Sequence, residues 1–275
     1  MKDHILIAGC GYLGEQLARH ATNSSWQVTR LSKSGDNGSL MCDLSKSSDL
    51  KGLRSQISPP AAIMFTASSG RGGPEAYREV FLQGTRNLFA TFPDSRFFFT
   101  SSTSVYHQTD GSLVTEDSPT KPERETGEIL LEAELQVLSN NGTVARLAGI
   151  YGPGRSAILR SLLNGNAVIE EDGRRFLNQI HRDDASKALL HLLSCPDSIA
   201  QVYNVCDSSP LHQGDCYQAL AALFDLPLPA NGPRPQNRKR AWTHKRVCNE
   251  KLRATGWEPK YPSFIDAAEA IRPTL

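Results

Sequence analysis

An excess of charge of either sign is missing from this sequence. Thirty basic residues stand against 29 acidic ones, a net charge of +1, so no one-signed field draws the chain to nucleic acid or to a membrane surface. No apolar run reaches the length of a membrane span. The opening Met1-Lys2-Asp3-His4 has no leader-peptide pattern, and a cytoplasmic protein is expected. Cysteines are scattered at 10, 42, 195, 206, 216 and 248, with no Cys-x-x-Cys and no histidine at a metal-binding spacing. Small buried thiols account for them better than disulfides or zinc. There are no repeats, no low-complexity segment and no Ser-His-Asp arrangement. The one linker-like stretch, Pro227 to Arg240, is rich in Pro, Asn and basic residues.

What is present suits an α/β domain. The 275 residues, 39% of them hydrophobic, are enough for one large domain or a domain with an appended lobe. Ile5-Leu6-Ile7-Ala8 reads as a buried strand, and Gly9-Cys10-Gly11-Tyr12-Leu13-Gly14 follows it into a helical pattern with Leu13, Leu17 and Ala18 on one face. In a Gly-x-Gly-x-x-Gly turn the first glycine turns the chain and the second lets backbone N–H groups approach a pyrophosphate. The third lets helix and strand pack closely, while the helix N-terminus adds partial positive charge. Gly9, Gly11, Tyr12, Leu13 and Gly14 are therefore the expected dinucleotide cradle.

The second strand, Trp26 to Leu31, leads into Ser32-Lys33-Ser34. An acid at its end would accept from the ribose 2′-hydroxyl of NAD, whereas arginine accommodates the 2′-phosphate of NADP. With no acid there and Arg30 and Lys33 on offer, NADP is favoured over NAD. Asp43 and Leu44 end a short third strand, where the carboxylate either meets the adenine or caps the helix from Ser45. Ala61 to Ser68 is a fourth strand, its end at Ala67 small enough to admit a flat ligand. Glu75 to Phe89 reads as one amphipathic helix. Arg96-Phe97-Phe98-Phe99-Thr100-Ser101-Ser102 is a fifth strand, its continuous apolar run at Phe97–Phe99 suiting a parallel strand buried on both faces. Strands alternating with helices predict a doubly wound parallel sheet with ligands at the carboxyl ends of its strands. Ser101, at one such end, is assigned to the cofactor.

At Phe99-Thr100-Ser101-Ser102-Thr103-Ser104-Val105-Tyr106 the chain resembles the extended short-chain dehydrogenases/reductases, the NAD-dependent epimerase/dehydratase family. Glu116 to Pro122 resembles the acidic loop before that family's catalytic helix. Arg146-Leu147-Ala148-Gly149-Ile150-Tyr151-Gly152-Pro153-Gly154-Arg155 resembles its sixth strand and substrate-lobe entrance. Asn178-Gln179-Ile180-His181-Arg182-Asp183-Asp184 resembles its His-x-Asp-Asp helix start, and Tyr203-Asn204-Val205 its last strand. The resemblance implies a Rossmann-like domain over 1–152, joined by later elements, and a mainly substrate-binding lobe over 153–275.

One departure stands out. The family's catalytic helix carries Tyr-x-x-x-Lys with an acid four positions after the lysine. Taking Glu132 as that acid puts Glu128 at the lysine position and Arg124 at the tyrosine position. The lysine would lower the tyrosine pKa; a glutamate opposes that shift, and arginine is no ordinary acid or base. Arg124 and Glu128 read either as a surface i,i+4 ion pair or as a carboxylate facing the pocket. In the family Ser102 bonds a substrate hydroxyl or carbonyl, though a strand-end serine also bonds backbone. Tyr106 is a substitute acid or a packing tyrosine. His181 and Asp184 organise structure, and Glu128 to Leu138 is a helix with Leu131, Leu135 and Leu138 on one side. The candidate catalytic residues are Ser102, Tyr106 and Glu128. The expected activity is hydride transfer on a sugar nucleotide or another small hydroxyl or carbonyl compound, possible as a homodimer. The alternative is a non-catalytic NAD(P)-binding sensor.

Overall fold

The computed structural model describes residues 3–70, 72–234 and 242–275; Arg71 and residues 235–241, which take in the end of the linker-like stretch, lie outside them. Seven strands form the central sheet: β1 (His4–Ala8), β2 (Gln27–Ser32), β3 (Leu40–Met41), β4 (Ala62–Phe65), β5 (Arg96–Ser102), β6 (Thr143–Leu147) and β7 (Val202–Val205). Their order is β7-β6-β5-β4-β1-β2-β3. β1 pairs in parallel with β2 and β4, β2 with β3, and β4 with β5. This is the doubly wound, Rossmann-like sheet expected, with its topological switch between β1 and β4.

The sequence accounts for the order of burial. Every residue of β1 and β4 is buried, as strands covered on both faces require. Phe65 of β4 packs against Phe97 and Phe99 of β5 and against Phe81, with ring centroids 5.3–6.2 Å apart. α1 (Tyr12–Asn23) turns Leu13, Gly14, Leu17, Ala18 and Ala21 inward; each such leucine contributes about 1.5–3 kcal/mol of burial. α2 (Ser47–Arg54) does the same with Leu50 and Leu53. The helix expected over Glu75–Phe89 runs as α3 (Pro74–Tyr77), a π-helical stretch Arg78–Gln83, and α4 (Gly84–Thr91).

α5 (Glu125–Ser139) corrects the leucine stripe. Ile129, Leu130, Ala133, Glu134 and Val137 are its buried face, while Leu135 is 65% exposed. The helix is apolar on two sides, so leucine spacing alone picks the wrong one.

The chain divides into two compact units. The first comprises Met1–Val105, Pro122–Arg146 and Ser186–Tyr203; the second comprises Tyr106–Lys121, Leu147–Ala185 and Asn204–Leu275. The second unit has its own core, in which Tyr151, Leu159, Leu220, Phe224, Phe264 and Ile271 take part. Within it, the Asp184 carboxylate accepts from the backbone N–H groups of Lys260 and Tyr261 at 3.0 and 2.9 Å. That is the organising role expected of it. Lys245 is also buried there, donating from Nζ to the Tyr106 carbonyl at 2.7 Å. Burial pulls its pKa down to about 8.

Candidate functional site

The glycine turn sits at the carboxyl end of β1. Gly9 has φ of +100°, and a Cβ there would stand 2.2 Å from the Ala67 Cα. A Cβ on Gly14 would meet the Gly9 carbonyl oxygen at 2.5 Å and Thr66 Oγ1 at 2.8 Å. Thr66 Oγ1 in turn donates to that carbonyl at 2.8 Å. Internal packing therefore explains these two glycines and places Ala67 directly against the turn. Gly11 is different: a Cβ added to it meets nothing within 4 Å. It is the N-cap of α1, with no capping side chain, so first-turn N–H groups lack intrahelical acceptors. An open glycine over an uncapped helix N-terminus fits a pyrophosphate. Tyr12 and Leu13 open the helix at this point, with Leu13 turned into the core.

At the end of β2, Arg30 is half-buried and forms no ion pair with any described residue. Lys33 does form one, 2.9 Å from Asp43. The other Asp43 oxygen accepts from the Ser45 backbone N–H and hydroxyl. Burial opposes ionisation of Asp43, but the bonds from Lys33 and Ser45 outweigh it and hold its pKa below the ordinary value. Asp43 closes a turn rather than capping a helix, because α2 starts only at Ser47. Leu44 is buried, and its carbonyl accepts from Asn87 Nδ2 at 2.8 Å.

At the end of β5 the two serines diverge. Ser101 is buried and its hydroxyl donates to Glu134, which leaves its backbone rather than its side chain for the cofactor contact assigned to it. Glu134 is also clasped by Arg146 of β6, whose Nε lies 3.1 Å from both carboxylate oxygens and whose Nη2 lies 2.7 Å from Oε2. Both partners are buried. Ser102 is half-exposed and accepts the Ser104 N–H at 3.2 Å, which leaves its own proton to donate. Glu128 is exposed in the first turn of α5. Glu125 pairs with Arg78 at 2.6 Å. Tyr106 is fully buried and its hydroxyl donates to Asn204 Oδ1 at 2.9 Å. A committed hydroxyl in the second unit's interior is that of a packing tyrosine, not of a substitute acid.

The sequence profile of the NAD dependent epimerase/dehydratase family matches residues 5–206. The chain belongs to that family. Among solved structures, a candidate NAD-dependent epimerase/dehydratase from Methylobacillus flagellatus is 28% identical, with a TM-score of 0.82 and 98% of each chain covered. A conserved protein of unknown function from Silicibacter pomeroyi is 25% identical, with a TM-score of 0.76 and 99% of each chain covered. The UDP-glucose 4-epimerase of Thermotoga maritima, solved with UDP-glucose, shares the fold at 17% identity and a TM-score of 0.82, covering 98% of this chain and 97% of its own. No curated protein matches the chain in sequence.

The buried ion pair offers a second register for this epimerase/dehydratase-family helix. Glu132 lies on the surface, 3.8 Å from Arg86; the acid built into the fold is Glu134. Counting back from Glu134 puts Leu130 at the lysine position and Thr126 at the tyrosine position. Leu130 is buried and carries no charge, so it does nothing to a neighbouring pKa. The Tyr-Lys pair is thus absent in either register. Two opposite charges in otherwise buried stretches, Glu134 on an apolar helix face and Arg146 inside a strand, were the signal that leucine spacing obscured.

Proposed function

We propose that this chain binds NADP in preference to NAD and carries out hydride transfer at a hydroxyl or carbonyl carbon of a sugar nucleotide or a similar small molecule. The observation that carries this reading is Gly11, the glycine of the turn that no internal contact requires. The cradle of Gly9, Gly11 and Gly14 would hold the pyrophosphate, Arg30 the 2′-phosphate, and Ala67 with the Ser101 backbone the flat rings. When bound, the nicotinamide accepts or returns the hydride. Ser102 donates its free proton to a substrate oxygen and orients it, and Glu128 takes up the hydroxyl proton as general base. The second unit supplies substrate contacts, and the exposed side of α5 around Leu135 supports a homodimer. The family assignment supports the sugar-nucleotide class.

Calorimetric titration with NADP⁺ and NAD⁺ tests the cofactor. NADP⁺ should bind more tightly, and Arg30→Ala should remove the difference. Cofactor reduction, followed by absorbance across a panel headed by UDP-glucose, tests the activity. Ser102→Ala should lower turnover about 10²-fold or more, in line with loss of one proton-handling group. Nucleotide binding with no turnover on any member would favour the sensor instead.

A further inference from the structure

Four of the six cysteines are the small buried thiols the sequence implies, but Cys195 and Cys248 are half-exposed. Their surroundings are opposite in charge. Burial pushes the Cys248 thiol up, and the carboxylates of Glu250 and Glu116 add to that. Burial also raises the thiols of Cys10, Cys42, Cys206 and Cys216. Cys195 has a base and a cation beside it instead. It follows the helix Arg182–Leu193, whose last turn carries His191. Cys195 Sγ stands 3.5 Å from His191 Nε2 and 3.4 Å from the His191 carbonyl oxygen. With its own proton on Nδ1, the imidazole accepts the thiol proton at Nε2.

The cation is Arg96, the first residue of β5. Its Nη2 donates to the Cys195 carbonyl at 3.2 Å and to the Ser198 hydroxyl at 3.1 Å, and its Nη1 to the Leu193 carbonyl at 2.6 Å. These acceptors are dipoles rather than carboxylates, so the guanidinium keeps its charge next to Cys195. The Ser198 carbonyl accepts from Thr143 Oγ1 at 2.7 Å, which fastens the far end of the Cys195 turn to β6. A half-exposed thiol against a base and beside a fixed cation is the setting in which a cysteine becomes reactive. The pair stands by the amino end of β5, whereas the glycine turn follows the carboxyl end of β1 and Ser102 closes β5.

We propose that Cys195 and His191 form a thiol–disulfide exchange site, at which a small disulfide of the oxidised-glutathione class leaves one half of itself on Cys195. His191 Nε2 takes the thiol proton, and the thiolate attacks one sulfur of the small disulfide. The new bond to the Cys195 sulfur forms as the S–S bond of the small disulfide breaks. The departing thiolate takes the proton from the imidazolium and leaves as a free thiol. The small disulfide is the oxidant, and the balance needs nothing else.

The test treats the full chain with oxidised glutathione and follows each thiol by peptide mass mapping. Cys195 should be modified first, and Cys195→Ser should abolish that phase. His191→Asn should slow the Cys195 reaction about 10²-fold, the low end for loss of a base, while Cys248, the internal control, keeps its wild-type rate. Modification of Cys248 or of a buried cysteine ahead of Cys195 overturns the proposal. So does an unchanged Cys195 rate in His191→Asn, or a fall shared equally by Cys195 and Cys248, which marks a structural effect.

Discussion

Three glycines of one motif do different work, and substitution should separate them. Gly9→Ala forces a Cβ into the Ala67 backbone at a φ of +100°, and the strain and overpacking should remove roughly 2–4 kcal/mol of stability. Gly11→Ala meets no atom and should change stability by less than about 1 kcal/mol, the scale of a changed N-cap, while nucleotide affinity drops sharply. Thermal melting beside titration with NADP⁺ reads both. A Gly11→Ala variant that binds as well as wild type would remove the cradle from the site. The motif, its flanking strand and its helix were all legible in the sequence because glycine reports backbone geometry directly. The assignment of Gly14 to packing and Gly11 to the ligand was legible too; the contact that holds Gly9 was not, since its neighbour, Ala67, lies far along the chain. The same limit applied to Ser101, whose partner Glu134 comes from another element.

Among the elements, the strands were the easiest to read and α5 the hardest. β5 spans Arg96–Ser102 around its Phe97–Phe99 run, as a parallel strand covered on both faces favours. α5 carries leucines around much of its circumference, and its buried face is marked instead by a carboxylate. Glu134 can lie there only because Arg146 and Ser101 satisfy it. Glu134→Gln, which leaves the Arg146 guanidinium buried without its counter-charge, should cost about 3–5 kcal/mol in urea unfolding. Adding Arg146→Met should restore much of that loss, since removing both charges of a buried pair is far milder than removing one. A double variant no better than the single would mean that the pair contributes through its shape rather than its charge.

For the molecule as a whole, stability against pH is set by buried groups pulling in opposite directions. Burial lowers the pKa of His4, His181 and His244, so the unfolded chain takes up protons first as pH falls through 6.5, and stability declines. Asp207 works the other way: burial, with the charges of Asp266 and Asp184, raises its pKa well above the carboxylate range. Its folded form keeps a proton that the unfolded chain has lost, so its contribution falls as pH rises, by about 1.4 kcal/mol per pH unit until it ionises. Asp207→Asn should therefore stabilise the protein increasingly from pH 5.5 towards neutrality, in melting curves referenced to wild type. A pH-independent difference would place Asp207 among ordinarily ionised carboxylates.

The first unit is assembled from three stretches, the last ending at Tyr203. During synthesis, the end carrying the glycine turn emerges from the ribosome long before the strand that completes the sheet. Until β7 arrives, β6 stands as an unpaired edge, its N–H and C=O groups open to any passing strand.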